Sequence, residues 1–279
     1  MTQHSSCVVL LFSQAHSGRI DKAFGNHTHR LKDAHRLVLT FLKMTQFTCI
    51  ESDVLGSSSA VLFASSNQGH YGGPEIPGRQ CTCAVAQFIV FAKVHPGIIN
   101  WKTDHVDRIL ERATSLYDEL PIQVKDDSGF VDPDALNRTI MTSVGLVKLS
   151  IFKVGNEVLK KTEKLTTLLP ELSKSLKEAK TTCSPLIITT NDVSVGLVTE
   201  GEQVFLFNSH STAPDGNSCS DGKACIISVP KGNAHEIIAN YIERNYGSCS
   251  IVSQRNLFRH CVCTYWIKTE IPPGKFLSL

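Results

Sequence analysis

Apolar and polar positions along this chain of 279 residues follow two rhythms, helical in the first two thirds and strand-like afterwards. From Thr82 onward, Ala84, Val85, Phe88, Ile89 and Phe91 fall close together, the pattern of a largely buried helix. Asp104 opens a second helix with Val106, Ile109, Leu110, Ala113, Leu116 and Leu120 on one side, and Pro121 ends it. Asp132-Pro133 reads as another helix start, since proline is tolerated in a first turn. Residues 156–180 interleave Val158, Leu159, Leu165, Leu168, Leu169, Leu172 and Leu176 with charges, which predicts a solvated helix interrupted at Pro170. From Ser184 the pattern shortens. Residues 186–190, 193–199 and 203–208 are β-branched or aromatic runs, and Glu200-Gly201 is a turn of the kind that joins strands. A polar loop, 211–223, precedes an apolar strand at 224–229. Residues 234–246 return to helix on Ile237, Ile238, Tyr241 and Ile242, and 262–269 is a last strand. Helices first and a mostly consecutive β-sheet afterwards predict an α+β domain.

The start of the chain has a different texture. Between Ser13 and Leu31 it shows little periodicity, and Leu31, Ala34, Leu37, Leu39 and Leu42 then recur at roughly helical spacing. Residues 1–55 read as a poorly ordered N-terminal extension, bounded by the serine run at 56–60. Residues 56–272 form the principal domain and 273–279 a tail. His27, His29 and His35 invite a metal centre, but a His-x-His pair without the cysteine or carboxylate geometry of a metal site is a weak signal.

Composition adds exclusions. Hydrophobic residues make up 42% of the chain and the net charge is +2, an ordinary balance without the clustered basic surface that nucleic-acid binding requires. No apolar run approaches the roughly 20 residues of a membrane-spanning helix, and the segment Cys7 to Phe12 is too short, with no basic residue before it, for a signal peptide. The expected partners therefore include neither nucleic acid nor membrane. Ten scattered cysteines in a chain of this length read as free thiols of an intracellular protein, in cytoplasm or nucleus.

The candidate chemistry centres on 64–93, where a Gly-, Pro- and Asn-rich loop turns into the first buried helix at Cys81. The unpaired N–H groups and dipole of a helix N-terminus favour a thiolate there, and such a junction points its side chain out of the core. On its own, Cys81 reads equally as a small buried apolar residue. A base is available on the strand 203–208, which ends in Asn208-Ser209-His210. With a period of two, Asn208 and His210 share a face. A cysteine at a helix N-terminus with a histidine and an asparagine from a distant strand is the arrangement of thiol proteases. Cys83, two residues on, is turned by about 200° toward the core. Zinc on Cys81, Cys83, His260, Cys261 and Cys263 is disfavoured by the one-residue spacers. No metal or other cofactor is expected.

At these residues the chain resembles the deubiquitinating domain at the N-terminus of herpesvirus large tegument proteins. Asn67-Gln68-Gly69 with Tyr71-Gly72 resembles the family's loop whose glutamine lines the oxyanion hole. Gly78-Arg79-Gln80-Cys81 resembles its nucleophile motif, and Phe207-Asn208-Ser209-His210 its Asp-x-His motif, with asparagine in place of aspartate. The resemblance covers about 60–269. It implies a papain-like cysteine protease fold and a deubiquitinase acting on the isopeptide bond at the C-terminal glycine of ubiquitin. Cys81 would be the nucleophile, His210 the general base and acid, Asn208 its orienter and Gln68 the oxyanion donor, with a thiolate–imidazolium pair at rest. Implied partners are ubiquitin, polyubiquitin chains and ubiquitinated proteins. The alternatives are a cysteine hydrolase of another ubiquitin-like modifier or peptide, and a non-catalytic ubiquitin-binding domain of the same fold.

Overall fold

The computed structural model describes residues 47–49, 59–71, 78–95, 101–142, 145–159, 174, 177, 185–190, 193–246 and 260–270. The side chains of 49, 154–159, 243 and 260–266 are outside that description. The chain divides into two compact units, Met1–Met44 and Thr45–Leu279. The first, with the expected helix from Leu31, lies outside the described residues, as does the tail at 273–279.

The second unit is built on a nine-stranded antiparallel sheet. Its strands are β1 (Thr48–Cys49), β2 (Ala60–Phe63), β3 (Thr139–Thr142), β4 (Gly145–Leu159), β5 (Leu186–Thr190), β6 (Val193–Glu200), β7 (Gln203–Thr212), β8 (Lys223–Pro230) and β9 (His260–Glu270), in the spatial order β1-β2-β8-β7-β6-β5-β9-β4-β3. The helices bounded within the described residues are a single turn α1 (Gln68–Tyr71), α2 (Cys81–Val94), α3 (Thr103–Glu119) and α4 (Ala234–Tyr246). The strands expected from 186 onward all form, and β5 to β8 make a consecutive meander as the pattern predicts.

Three departures have physical causes. Asn156–Leu159 belong to strand β4 and not to a helix, because β4 continues its pairing with β9 as far as Leu159 opposite His260. Only Lys174 and Lys177 of the expected helix beyond that point are described, and both are helical. Strands β3 and the start of β4 were not anticipated, although Val147, Leu149 and Ile151 are buried between half-buried or exposed neighbours, the alternation of a one-sided strand. The segment after Asp132 is a short 3₁₀ turn, Pro133–Leu136, with the Asp132 carboxylate accepting from the Asp134 N–H at 2.9 Å.

The core has two parts, one on each face of the sheet. On one face α2 and α3 pack with Phe205 and Phe207 of β7, Ile187 of β5 and Ile226 of β8. On the other, Ile238, Tyr241 and Ile242 of α4 pack with Val204 and Leu206 of β7, Leu197 of β6 and Ile227 of β8. Helix α2 is buried on every side from Cys81 to Val90, which is why its sequence lacks a polar stripe. It lies so close to the sheet that a Cβ on Gly196 would sit 2.7 Å from the Val85 Cγ1 atom and 3.1 Å from Phe88. Phe88 stacks on Phe207 at 5.0 Å and on Trp101 at 5.4 Å, fixing the height of α2 above β7. Helix α3 is tied to the end of β2, since the Ser65 backbone N–H and hydroxyl both donate to the Asp107 carboxylate, at 2.8 and 2.7 Å.

The boundary of the N-terminal extension also moves. Thr48 and Cys49 pair with Val61 and Ala60, and the Phe47 ring is buried against Phe205 at 6.2 Å. These residues belong to the sheet domain, so the break lies at 44/45 and not at 55. Removing 1–44 is therefore expected to leave the unfolding midpoint of the second unit essentially unchanged. Removing 1–52 deletes β1 and the Phe47 side chain, and is expected to cost about 3–5 kcal/mol, the range for losing a buried aromatic. Denaturant unfolding of the two truncations measures the difference.

Candidate active site

Three consecutive residues of β7 organise the site. Asn208 is 1% exposed and points to the α4 side of the sheet. Its Oδ1 accepts the His210 backbone N–H at 3.0 Å and lies 3.0 Å from His210 Nδ1. The backbone N–H is an obligate donor, so the atom facing it must be the amide oxygen. That oxygen in turn requires a proton on Nδ1, which leaves the lone pair on Nε2, the nitrogen free to act as a base. The expected Asn208–His210 pairing is present. The register of β7 against β8 breaks between Asn208 and Thr212, a bulge that redirects His210 at the end of the strand. At this bulge Gly222 lies against the Thr212 backbone, where an added Cβ would come within 2.4 Å.

Ser209, between them, faces the opposite layer. Its hydroxyl donates to Gln68 Oε1 at 2.6 Å, and Gln68 Nε2 donates to the Gly78 carbonyl at 2.7 Å. Gln68 is thus not a solvated residue of an irregular loop, as the Gly-rich sequence suggests. It is 3% exposed, starts the one-turn helix α1, and ties β7 to the turn before Cys81. Asn67 anchors that turn, its Oδ1 accepting from Gly69 N–H and its Nδ2 donating to the Gly222 carbonyl, both at 2.9 Å. Gly78 has φ +78°, a left-handed conformation that glycine adopts without strain. Arg79 packs over Gly129, whose carbonyl accepts from the Tyr117 hydroxyl at 2.6 Å.

Cys81 is the first residue of α2, as predicted, but its side chain is 1% exposed and not directed out of the core. Burial pushes the thiol above its ordinary value, against the opposing pull of hydrogen bonds from Ser194 and Thr82. The hydroxyls of Thr82 and Ser194 are 3.0 Å apart, and Ser194 reaches on to Thr189 at 3.2 Å. Cys83 is fully buried and burial raises its thiol as well, which fits its expected place in the core. Burial pulls the His210 imidazole down to about 4. Both shifts run toward the neutral forms, opposite in direction to the thiolate–imidazolium pair that the resemblance implies. The His210 ring packs edge-on against Tyr246 at 6.2 Å.

Several residues of the site carry no sequence signal. Tyr241 reads only as an apolar position of a helix and Tyr246 as its last residue, while Ser194 falls in an expected strand and Thr212 in the expected polar loop. Gln80, the residue before Cys81, is 2% exposed with neither amide atom bonded among the described residues, a local cost of about 1–3 kcal/mol per group. The side chains of His260, Cys261 and Cys263 lie outside the description, and the described residues include no cluster of three metal-ligating groups. Cys83, Cys219 and Cys225 are free thiols. No helix among the described residues is long and apolar enough to cross a membrane.

The His210 shift sets a pH dependence. Between the ordinary histidine value of about 6.5 and about 4, the unfolded chain binds a proton at this imidazole that the folded chain does not. Its contribution to stability is complete above 6.5 and is lost as the pH falls toward 4. His95 and His105 are lowered as well, so the wild type is compared with His210→Gln. The variant is expected to lose stability less steeply over this interval, measured by urea unfolding at half-unit steps of pH.

Comparison with known proteins bears on this arrangement. The sequence profile described as herpesvirus tegument protein, N-terminal conserved region, matches residues 63–254, well over half of the chain. No curated protein sequence matches. Among solved structures, the ubiquitin-specific protease encoded by a murine cytomegalovirus tegument protein, crystallised with a ubiquitin-based suicide substrate, superposes with a TM-score of 0.56. That match covers 78% of this chain and 89% of the viral one at 15% identity. The α+β, papain-like architecture expected from the sequence is borne out. By its sequence and its fold, this chain belongs to the herpesvirus tegument N-terminal region family.

Proposed function

We propose that the protein is a cysteine-type deubiquitinase, hydrolysing the isopeptide bond at the C-terminal glycine of ubiquitin. The observation that carries the reading is the Asn208 Oδ1 to His210 Nδ1 contact at 3.0 Å, a preset base on the strand beside the helix that begins with Cys81. Family membership and the ubiquitin-based substrate held by the viral protease support the choice of substrate.

His210 Nε2 takes the Cys81 proton as sulfur attacks the glycine carbonyl. The oxyanion is received by the Cys81 backbone N–H and by the second Nε2 proton of Gln68, the first being held by Gly78. Collapse expels the lysine amine, protonated by His210, and leaves a thioester on Cys81. Water activated by His210 then releases ubiquitin and restores the thiol. Ubiquitin, its chains and ubiquitinated proteins are the partners in this reading, and an intracellular compartment is its setting.

An electrophilic ubiquitin C-terminal probe tests the assignment. Cys81 should carry the adduct in the wild type, Cys81→Ala should not react, and Cys83→Ala should keep most of the labelling. An adduct on another cysteine points to a different nucleophile, and no adduct at all to a non-catalytic domain. A probe built on another ubiquitin-like modifier reacting faster would change the substrate.

Gln68 is tested by steady-state kinetics on a ubiquitin–fluorophore amide. Gln68→Ala should lower kcat by about 10²- to 10³-fold with little change in KM. Gln68→Glu should be at least as damaging, since it sets a carboxylate against the Gly78 carbonyl. Ser209→Ala removes only one of the two anchors of the amide and should fall between Gln68→Ala and wild type. Wild-type kcat in folded Gln68→Ala would remove this residue from the mechanism.

A further inference from the structure

Helix α4 lies across the sheet from α2, yet it sends two hydroxyls into the base. The Asn208 Nδ2 atom is 2.6 Å from the Tyr246 hydroxyl, 2.7 Å from the Tyr241 hydroxyl and 3.0 Å from Thr212 Oγ1. Tyr241 and Thr212 are each 1% exposed, and Tyr246 is 5% exposed. An amide nitrogen carries two protons, so three acceptors surround two donors. The Thr212 hydroxyl spends its own proton on the His210 carbonyl at 3.2 Å, which closes the cluster back onto the same strand.

We propose that Tyr241 and Tyr246, with Thr212, are positioning residues for the His210 base, accepting the two Nδ2 protons and so holding Asn208 Oδ1 on His210 Nδ1. The proposal rests on His210 being the base of the reaction proposed above. Its physical basis is that asparagine is neutral. A carboxylate would favour the imidazole's orientation by charge even when loosely held, whereas an amide acts only through where its oxygen points. That direction is fixed at one end by the His210 backbone N–H and at the other by these hydroxyls. Burial keeps both phenols protonated and neutral, so they remain able to accept from the amide.

The excess of acceptors makes a specific prediction. Losing any one hydroxyl leaves two acceptors for two protons, while losing two leaves a buried N–H unpaired and the amide free to tilt. Tyr241→Phe and Tyr246→Phe, which keep both rings, should each stay within about threefold of wild-type kcat. The double variant should fall by about 10- to 100-fold with KM unchanged, the scale of a misdirected general base. Nitrogen-15 spectra of the imidazole should show His210 as the Nδ1–H tautomer in wild type and in both single variants, and as a mixture in the double. If the double variant does not fold, Tyr241→Phe with Thr212→Val removes the same number of acceptors and carries the same expectation. A double variant with wild-type kcat and an unchanged tautomer overturns the proposal, as does a single variant as impaired as the double. Should the wild type hydrolyse no ubiquitin substrate, the functional reading fails, and the tautomer in the double variant still decides whether the tyrosines position the histidine.

Discussion

Strand β7 is covered on both faces, and the alternation of its side chains decides what each helical layer receives. Phe205, Phe207 and Ser209 face α2 and α3, while Val204, Leu206 and Asn208 face α4. The period of two that builds the core therefore also builds the site: the last apolar residues on each face are followed directly by the polar residue that serves that face. A one-residue slip of β7 against β6 would exchange Asn208 and Ser209, leaving the two tyrosines facing a serine and Gln68 facing an amide. Core packing prevents the slip, because Phe207 is held against Phe88 and Gly196 leaves no gap between α2 and the sheet.

Much of this was legible in the sequence. The strands from 186 onward, helices α2, α3 and α4, and the pairing of Asn208 with His210 follow from periodicity and turn residues, which are local properties. What escaped was decided at a distance. Residues 156–159 carry helix-compatible charges and are strand because β9 supplies a partner from more than a hundred residues away. Gln68 sits in a stretch that reads as loop and is buried because Ser209 and Gly78 meet there. Phe47 joins the core through a two-residue strand too short to leave a pattern. Tyr241 and Tyr246 were visible as bulk, but a hydroxyl's partners cannot be inferred from the stripe that carries its ring.

The helix N-terminus argument for Cys81 placed the residue correctly but left out the burial of its side chain. The dipole of a helix end acts on a group that remains partly solvated, and its effect is of the order of 0.3–1 kcal/mol. Enclosing a thiol between α2 and β6 removes the water that would solvate the anion, a larger opposing effect. Burial lowers His210 as well, so the two groups are shifted apart, each toward its neutral form.

An enclosed thiol also has a chemical consequence outside catalysis. Peroxide and small alkylating agents react with exposed thiolates, and the head of α2 does not present that exposure. In the free protein Cys81 is therefore shielded from the oxidation that disables many cysteine enzymes. A molecule that reacts there must bring binding energy of its own to open the approach, which makes the resting state inert toward small electrophiles without a matching surface.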